Sequence, residues 1–143
     1  MSRKAAPPRP RASLLSALGS QWRYLRSPRP WPIELPIVVQ FPVNDVCDSK
    51  CQMCNIWQQK RDREVSPDEV RRLFSNPLFQ RVRTVGFNRG EPTLRRDLAA
   101  LGAALFDALP NLQGVSLITN ALHSERAIQR IGELAAVARE RGV

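Results

Sequence analysis

Between residues 33 and 143 the sequence changes its hydrophobic period three times in the same order, a short β-branched run followed by a longer helical stretch. The runs "IELPIVVQF" (33–41), "RVRTVGF" (81–87) and "GVSLIT" (114–119) read as strands, the first of them buried and bounded by prolines. Ser66-Pro67-Asp68-Glu69 opens the first helix, with Ser as N-cap, Pro at the first helical position and Glu where a capping box needs it. Residues 96–109, rich in Leu and Ala and followed by Pro110, form the second helix; Ser124 caps a third that runs to about residue 140. Alternation in units of about 30 residues predicts an α/β fold with parallel strands and crossover helices. A closed eightfold barrel takes about 250 residues, so three βα units make an incomplete parallel (β/α) barrel. Gly142 and Val143 stand where a helix ends and a next strand would begin, which reads as a truncated architecture.

Charge narrows the range of partners. The net charge of +9 suggests nucleic acid until it is located: residues 1–33 hold seven of the 22 basic side chains and none of the 13 acids. The balance of the remainder is close to neutral, so no nucleic-acid partner is indicated for the folded part. Residues 1–32 form a Pro-rich basic leader, read as mostly disordered. Docking on the core, binding to a membrane surface or an acidic partner, and a transit peptide are the alternatives for it. No apolar run approaches the roughly 20 residues of a membrane span, and no export signal is evident. The expectation is a soluble cytoplasmic protein with reduced thiols.

In parallel α/β sheets, chemistry gathers at the carboxyl ends of the strands. Three polar stretches follow those ends: "NDVCDSKCQMC", "NRGEPT" and "TNALHS". The first carries every cysteine of the chain, Cys47, Cys51 and Cys54, spaced C-x-x-x-C-x-x-C. Three thiols cannot all pair, and a polar loop is poor core, which argues for a metal. Structural zinc takes four ligands, and His123 on the same rim would make a Cys3His set. An iron–sulfur cubane held by three thiolates leaves one iron open, the mark of a reactive site.

These residues resemble the radical S-adenosylmethionine (radical SAM) superfamily. "CDSKCQMC" is similar to its cysteine signature, with Met53 in the position of an aromatic or large apolar residue. "CQMCNIW" resembles the branch that contains molybdenum-cofactor and peptide-maturation enzymes. "NRGEPTLRRDL" is similar to the GGEP motif, and "LITNAL" to the T-N-G segment. The resemblance covers residues 33–143 and implies part of a radical SAM core domain.

What it implies is specific. Cys47, Cys51 and Cys54 would ligate three irons of a [4Fe-4S] cluster, and S-adenosylmethionine would chelate the fourth. Gly90, Glu91 and Pro92 would align the methionine end, and Thr119 and Asn120 would contact the cofactor. Reductive cleavage would yield a 5'-deoxyadenosyl radical that takes hydrogen from an unidentified substrate. An external electron donor and a polypeptide completing the barrel are the implied partners. The alternative is a non-catalytic fragment that binds iron–sulfur or Cys3His zinc. Two positions depart from the pattern: Arg89 replaces a glycine, at a cost of about 1 kcal/mol if its φ is positive, and Ala121 replaces another. Trp57 is expected to pack the cysteine loop, and Arg95 and Arg96 to form a solvated helical face.

Overall fold

The computed structural model describes residues 34–59 and 63–143. The basic leader expected over residues 1–32 lies outside the described residues. Strands β1 (Val38–Pro42), β2 (Thr84–Asn88) and β3 (Gly114–Leu117) form one sheet in the order β1-β2-β3. Both pairings are parallel, as the alternation predicts. The register aligns Val39, Val85 and Val115 in one row and Phe41, Phe87 and Leu117 in another. Because side chains alternate along a strand, both rows share a face. That face meets the helices α1 (Pro67–Phe74), α2 (Leu98–Ala108) and α3 (Ser124–Glu140).

The core joins Phe41, Val85 and Phe87 of the sheet to Val70 and Phe74 of α1, to Leu98, Leu101 and Leu105 of α2, and to Leu134 of α3. Phe41 and Phe74 meet edge to face at 5.4 Å between ring centroids, a favoured aromatic geometry. The opposite face carries Gln40, Gly86 and Ser116 in register. Gln40 lies across Gly86, where a Cβ would stand 2.4 Å from its Oε1. Asn88 donates to the same Oε1 at 2.9 Å. In a barrel this polar face would line the interior.

The capping box forms as read: Ser66 Oγ accepts from Glu69 N at 3.3 Å, and Ser66 N donates to Glu69 Oε2 at 2.9 Å. Four expectations need correction. Strand β1 is not buried: Val38 is 58% exposed, because β1 is an edge of this sheet and its inner face is uncovered. Strand β2 starts three residues late, at Thr84, after a turn that presents Arg83 N and Thr84 N to Ile37 O. Helix α2 starts at Leu98, since a 3-10 turn over Pro92–Leu94 and an extended Arg95 take up the preceding residues. Ser124 is the first residue of α3 and not its cap; His123 holds the N-cap position without a side-chain hydrogen bond. Among the described residues no helix is long and apolar enough to cross a membrane.

Candidate cofactor site at the rim of the sheet

The parallel register brings the segments after β1, β2 and β3 to one edge. Glu91, after β2, is their hub. It is 1% exposed. Its Oε1 accepts from Thr93 N (3.0 Å), Thr93 Oγ1 (2.6 Å) and Thr119 Oγ1 (2.7 Å). Its Oε2 accepts from Asn120 N at 2.7 Å. Burial alone pushes the Glu91 carboxyl up, but hydrogen bonds from Thr93, Asn120 and Thr119 outweigh it and hold it below the ordinary value. Its main chain turns the other way: Glu91 N donates to Val46 O at 2.8 Å, and Glu91 O accepts from Asn44 Nδ2 at 3.0 Å. One residue therefore fastens the entrance of the cysteine loop to the end of β3.

Gly90 is at φ 63°, and a Cβ there would stand 2.1 Å from Asn44 Oδ1 and 2.4 Å from Val46 O. Only glycine allows this approach. Both motif departures take the left-handed conformation: Arg89 has φ 60° and Ala121 has φ 50°. The Arg89 side chain partly offsets its strain, with Nε 2.6 Å from Asp45 Oδ1 and Nη2 3.4 Å from Gln59 Oε1. Those partners lie on either side of the cysteines.

None of the three cysteines is in a disulfide; Cys47 is half-buried, and Cys51 and Cys54 are exposed. Cys54 N donates to Cys51 O at 3.2 Å, a turn that folds the loop back on itself. Asn120 Nδ2 lies 3.7 Å from Cys47 Sγ and donates to Asp48 Oδ1 at 2.9 Å. Lys50 Nζ sits 5.7 Å above the Trp57 ring, which is 36% exposed. No three His, Cys, Asp or Glu side chains among the described residues stand close enough together to hold a metal ion. The donor set still fits an iron–sulfur cluster in kind: three unpaired thiols on one rim loop, with the sole histidine turned to Asp48 at 3.7 Å.

Sequence reasoning missed two residues that shape the loop. Arg95 is not a solvated face but 3% exposed. Its Nη1 donates to Val43 O at 2.7 Å and its Nη2 to Val65 O at 2.8 Å, while Asp97 pairs with it at 2.9 and 2.7 Å. Asp48 accepts from Arg126 Nη2 at 2.5 Å besides its bond from Asn120. Burial alone would raise its carboxyl; bonds from Asn120 and Arg126 hold it below the ordinary value. A signal for Arg95 was present in its place just ahead of the acid Asp97.

Three parallel strands with a cysteine loop, a glutamate hub and an asparagine turn on one rim define a class. The radical SAM superfamily pattern matches residues 41–139, and the chain belongs to that superfamily. It is 34% identical over 99 residues to a GTP 3',8-cyclase of Mannheimia succiniciproducens, covering 64% of this chain and 28% of that protein. It is 29% identical over 101 residues to molybdenum cofactor biosynthesis protein 1 of Drosophila melanogaster, covering 66% and 18%. A solved structure of BtrN in complex with AdoMet and 2-DOIA shares the fold at TM-score 0.52 and 22% identity, over 71% of this chain and 43% of that one. The chain thus spans about a quarter of the length of the GTP 3',8-cyclase it matches.

Proposed function

We propose that residues 33–143 are the cluster- and cofactor-binding part of a radical SAM core domain, acting in the cytoplasm. Cys47, Cys51 and Cys54 would hold three irons of a [4Fe-4S] cluster. Such a cluster would supply the electron, taken from an external donor, that breaks the sulfonium C5'–S bond of S-adenosylmethionine into methionine and a 5'-deoxyadenosyl radical, which would take hydrogen from a substrate. Gly90 and Pro92 shape the backbone that receives the methionine end. The Glu91 carboxylate, already engaged by four protein donors, works by fixing Thr119 and Asn120 at the same rim. That convergence of three segments on Glu91 is the observation that carries the reading. The relative named as a GTP 3',8-cyclase favours a purine nucleotide as the substrate class.

Covering β3 is part of the proposal. Among the described residues β3 pairs only with β2. Beside it a groove of about 390 Å³ is lined by Val115, Leu117, Ile131, Leu134 and Ala135. An open parallel edge next to apolar side chains calls for another strand. The remaining βα units of the barrel, in this polypeptide or in a second one, supply it.

Anaerobic reconstitution should give a brown protein with broad thiolate-to-iron absorption near about 400 nm. Dithionite and S-adenosylmethionine should then yield 5'-deoxyadenosine above a Cys51→Ala control, with the completing units present. A colourless protein holding one zinc, lost in His123→Ala, would overturn the reading. A loaded cluster with no such product even in the completed barrel would leave a non-catalytic metal-binding fragment.

A further inference from the structure

Asp48 stands inside the cysteine loop, yet both of its carboxylate oxygens face another part of the fold. Oδ1 accepts from Asn120 Nδ2 at 2.9 Å, in the turn after β3. Oδ2 accepts from Arg126 Nη2 at 2.5 Å, in the first turn of α3, with His123 Nε2 at 3.7 Å. Arg126 and Asp48 are 31% and 21% exposed at their side chains, so the pair is shielded more than a surface ion pair. The partners lie 78 residues apart in sequence. Among the described residues neither Cys51 nor Cys54 has a comparable tether: there Cys51 Sγ meets only its neighbour Ser49 Oγ, at 3.2 Å.

We infer that Asp48 is a positioning residue that docks the first turn of the cysteine loop on Asn120 and α3, presetting Cys47 before any metal arrives. The geometry also fixes the charge around the thiols. With Arg126 paired to Asp48, the two cancel; removing either leaves one uncompensated charge near the ligand sulfurs. This second consequence rests on the proposed cluster, and the docking itself does not.

The full chain in its metal-free form tests the docking by the rate at which iodoacetamide alkylates Cys47, read by mass spectrometry. Each rate is expressed per thiolate, from its measured pH dependence, so that the opposite charges left behind do not enter. On that scale Asp48→Asn and Arg126→Ala should each speed alkylation of Cys47 by about three- to ten-fold, the range expected for losing a partly shielded charged contact. Arg126→Lys should recover part of the protection, and the melting temperature should move little. Unchanged Cys47 alkylation in both variants would overturn the inference. In cluster-loaded protein the two substitutions should shift the reduction potential in opposite directions, Asp48→Asn upward and Arg126→Ala downward. Shifts of the same sign would show that the pair acts only through loop structure and would overturn the charge-balancing role. Failure of the wild-type chain to take up a cluster would instead count against the proposed function, while the alkylation result still judges the docking.

Discussion

Replacing Arg95 by Ala should unfasten the cysteine loop and cost much of the stability of the fold. The segment from β1 to the cap of α1 covers residues 43–65, well past the length of about 12–15 residues at which loops lack structure of their own without a functional reason. Arg95 holds its two ends, Val43 O at 2.7 Å and Val65 O at 2.8 Å, with one guanidinium. Removing that group strands two carbonyls in a site where the arginine is 3% exposed. Breaking a buried ion pair costs about 3–5 kcal/mol. Asp97 is 38% exposed and can rehydrate, so the lower end, about 3 kcal/mol, is expected. For a domain of this size that corresponds to a fall of roughly 12–20 °C in Tm. Arg95→Lys keeps the charge but not the fork, and should recover less than half of the loss. Thermal denaturation gives the total, and hydrogen exchange over residues 43–65 locates it. A Tm change under about 3 °C, or a loss of protection spread evenly over the sheet, would refute the stapling argument.

Ala121→Gly should raise stability by about 0.5 kcal/mol, because relief of a left-handed alanine, about 1–2 kcal/mol, exceeds the added freedom of the unfolded chain. Arg89→Gly gains the same relief but loses the Asp45 pair, so urea titration should show it within about 0.5 kcal/mol of wild type. Gly90→Ala should cost at least about 2 kcal/mol, since its Cβ would meet Val46 O, a backbone atom, at 2.4 Å; a variant of unchanged stability would contradict the packing described. Glu91 is held below its ordinary value of 4.5, so the stability it supplies is present above that pH and is lost as pH falls through its lower folded value. Glu91→Gln should therefore be less stable at pH 7 and show a flatter loss of stability between about pH 5 and pH 3, measured by denaturant titration across that range.

What the sequence disclosed and what it hid divide by range. The capping box at Ser66 and Glu69 is a relation across three positions, and it formed with both of its bonds. The parallel sheet followed from period and spacing, which each element carries within itself. Arg95 and Asp48 were hidden because the partners that bury them lie 52, 30 and 78 residues away; only Asp97, two residues after Arg95, hinted locally at an ion pair. The exposed face of β1 was hidden for another reason: an apolar run reads the same whether its cover is present or absent.

The two glycine replacements join these levels. A sequence motif with glycine at two positions already says that the backbone there is left-handed, and Arg89 and Ala121 keep that conformation without the glycine. The hydrogen bonds around them account for this. Ala121 N donates to Thr119 Oγ1 at 3.0 Å, and Thr119 Oγ1 itself donates to Glu91, so the turn after β3 is set by the hub and not by its own residue preference. Arg89 is held between β2 and Gly90, where a Cβ would collide with Asn44 and Val46, and by its own pairing with Asp45. Strain of this kind persists only where surrounding contacts over-determine the backbone. Its presence in two segments that meet at Glu91 therefore marks a part of the rim whose backbone is set by surrounding contacts.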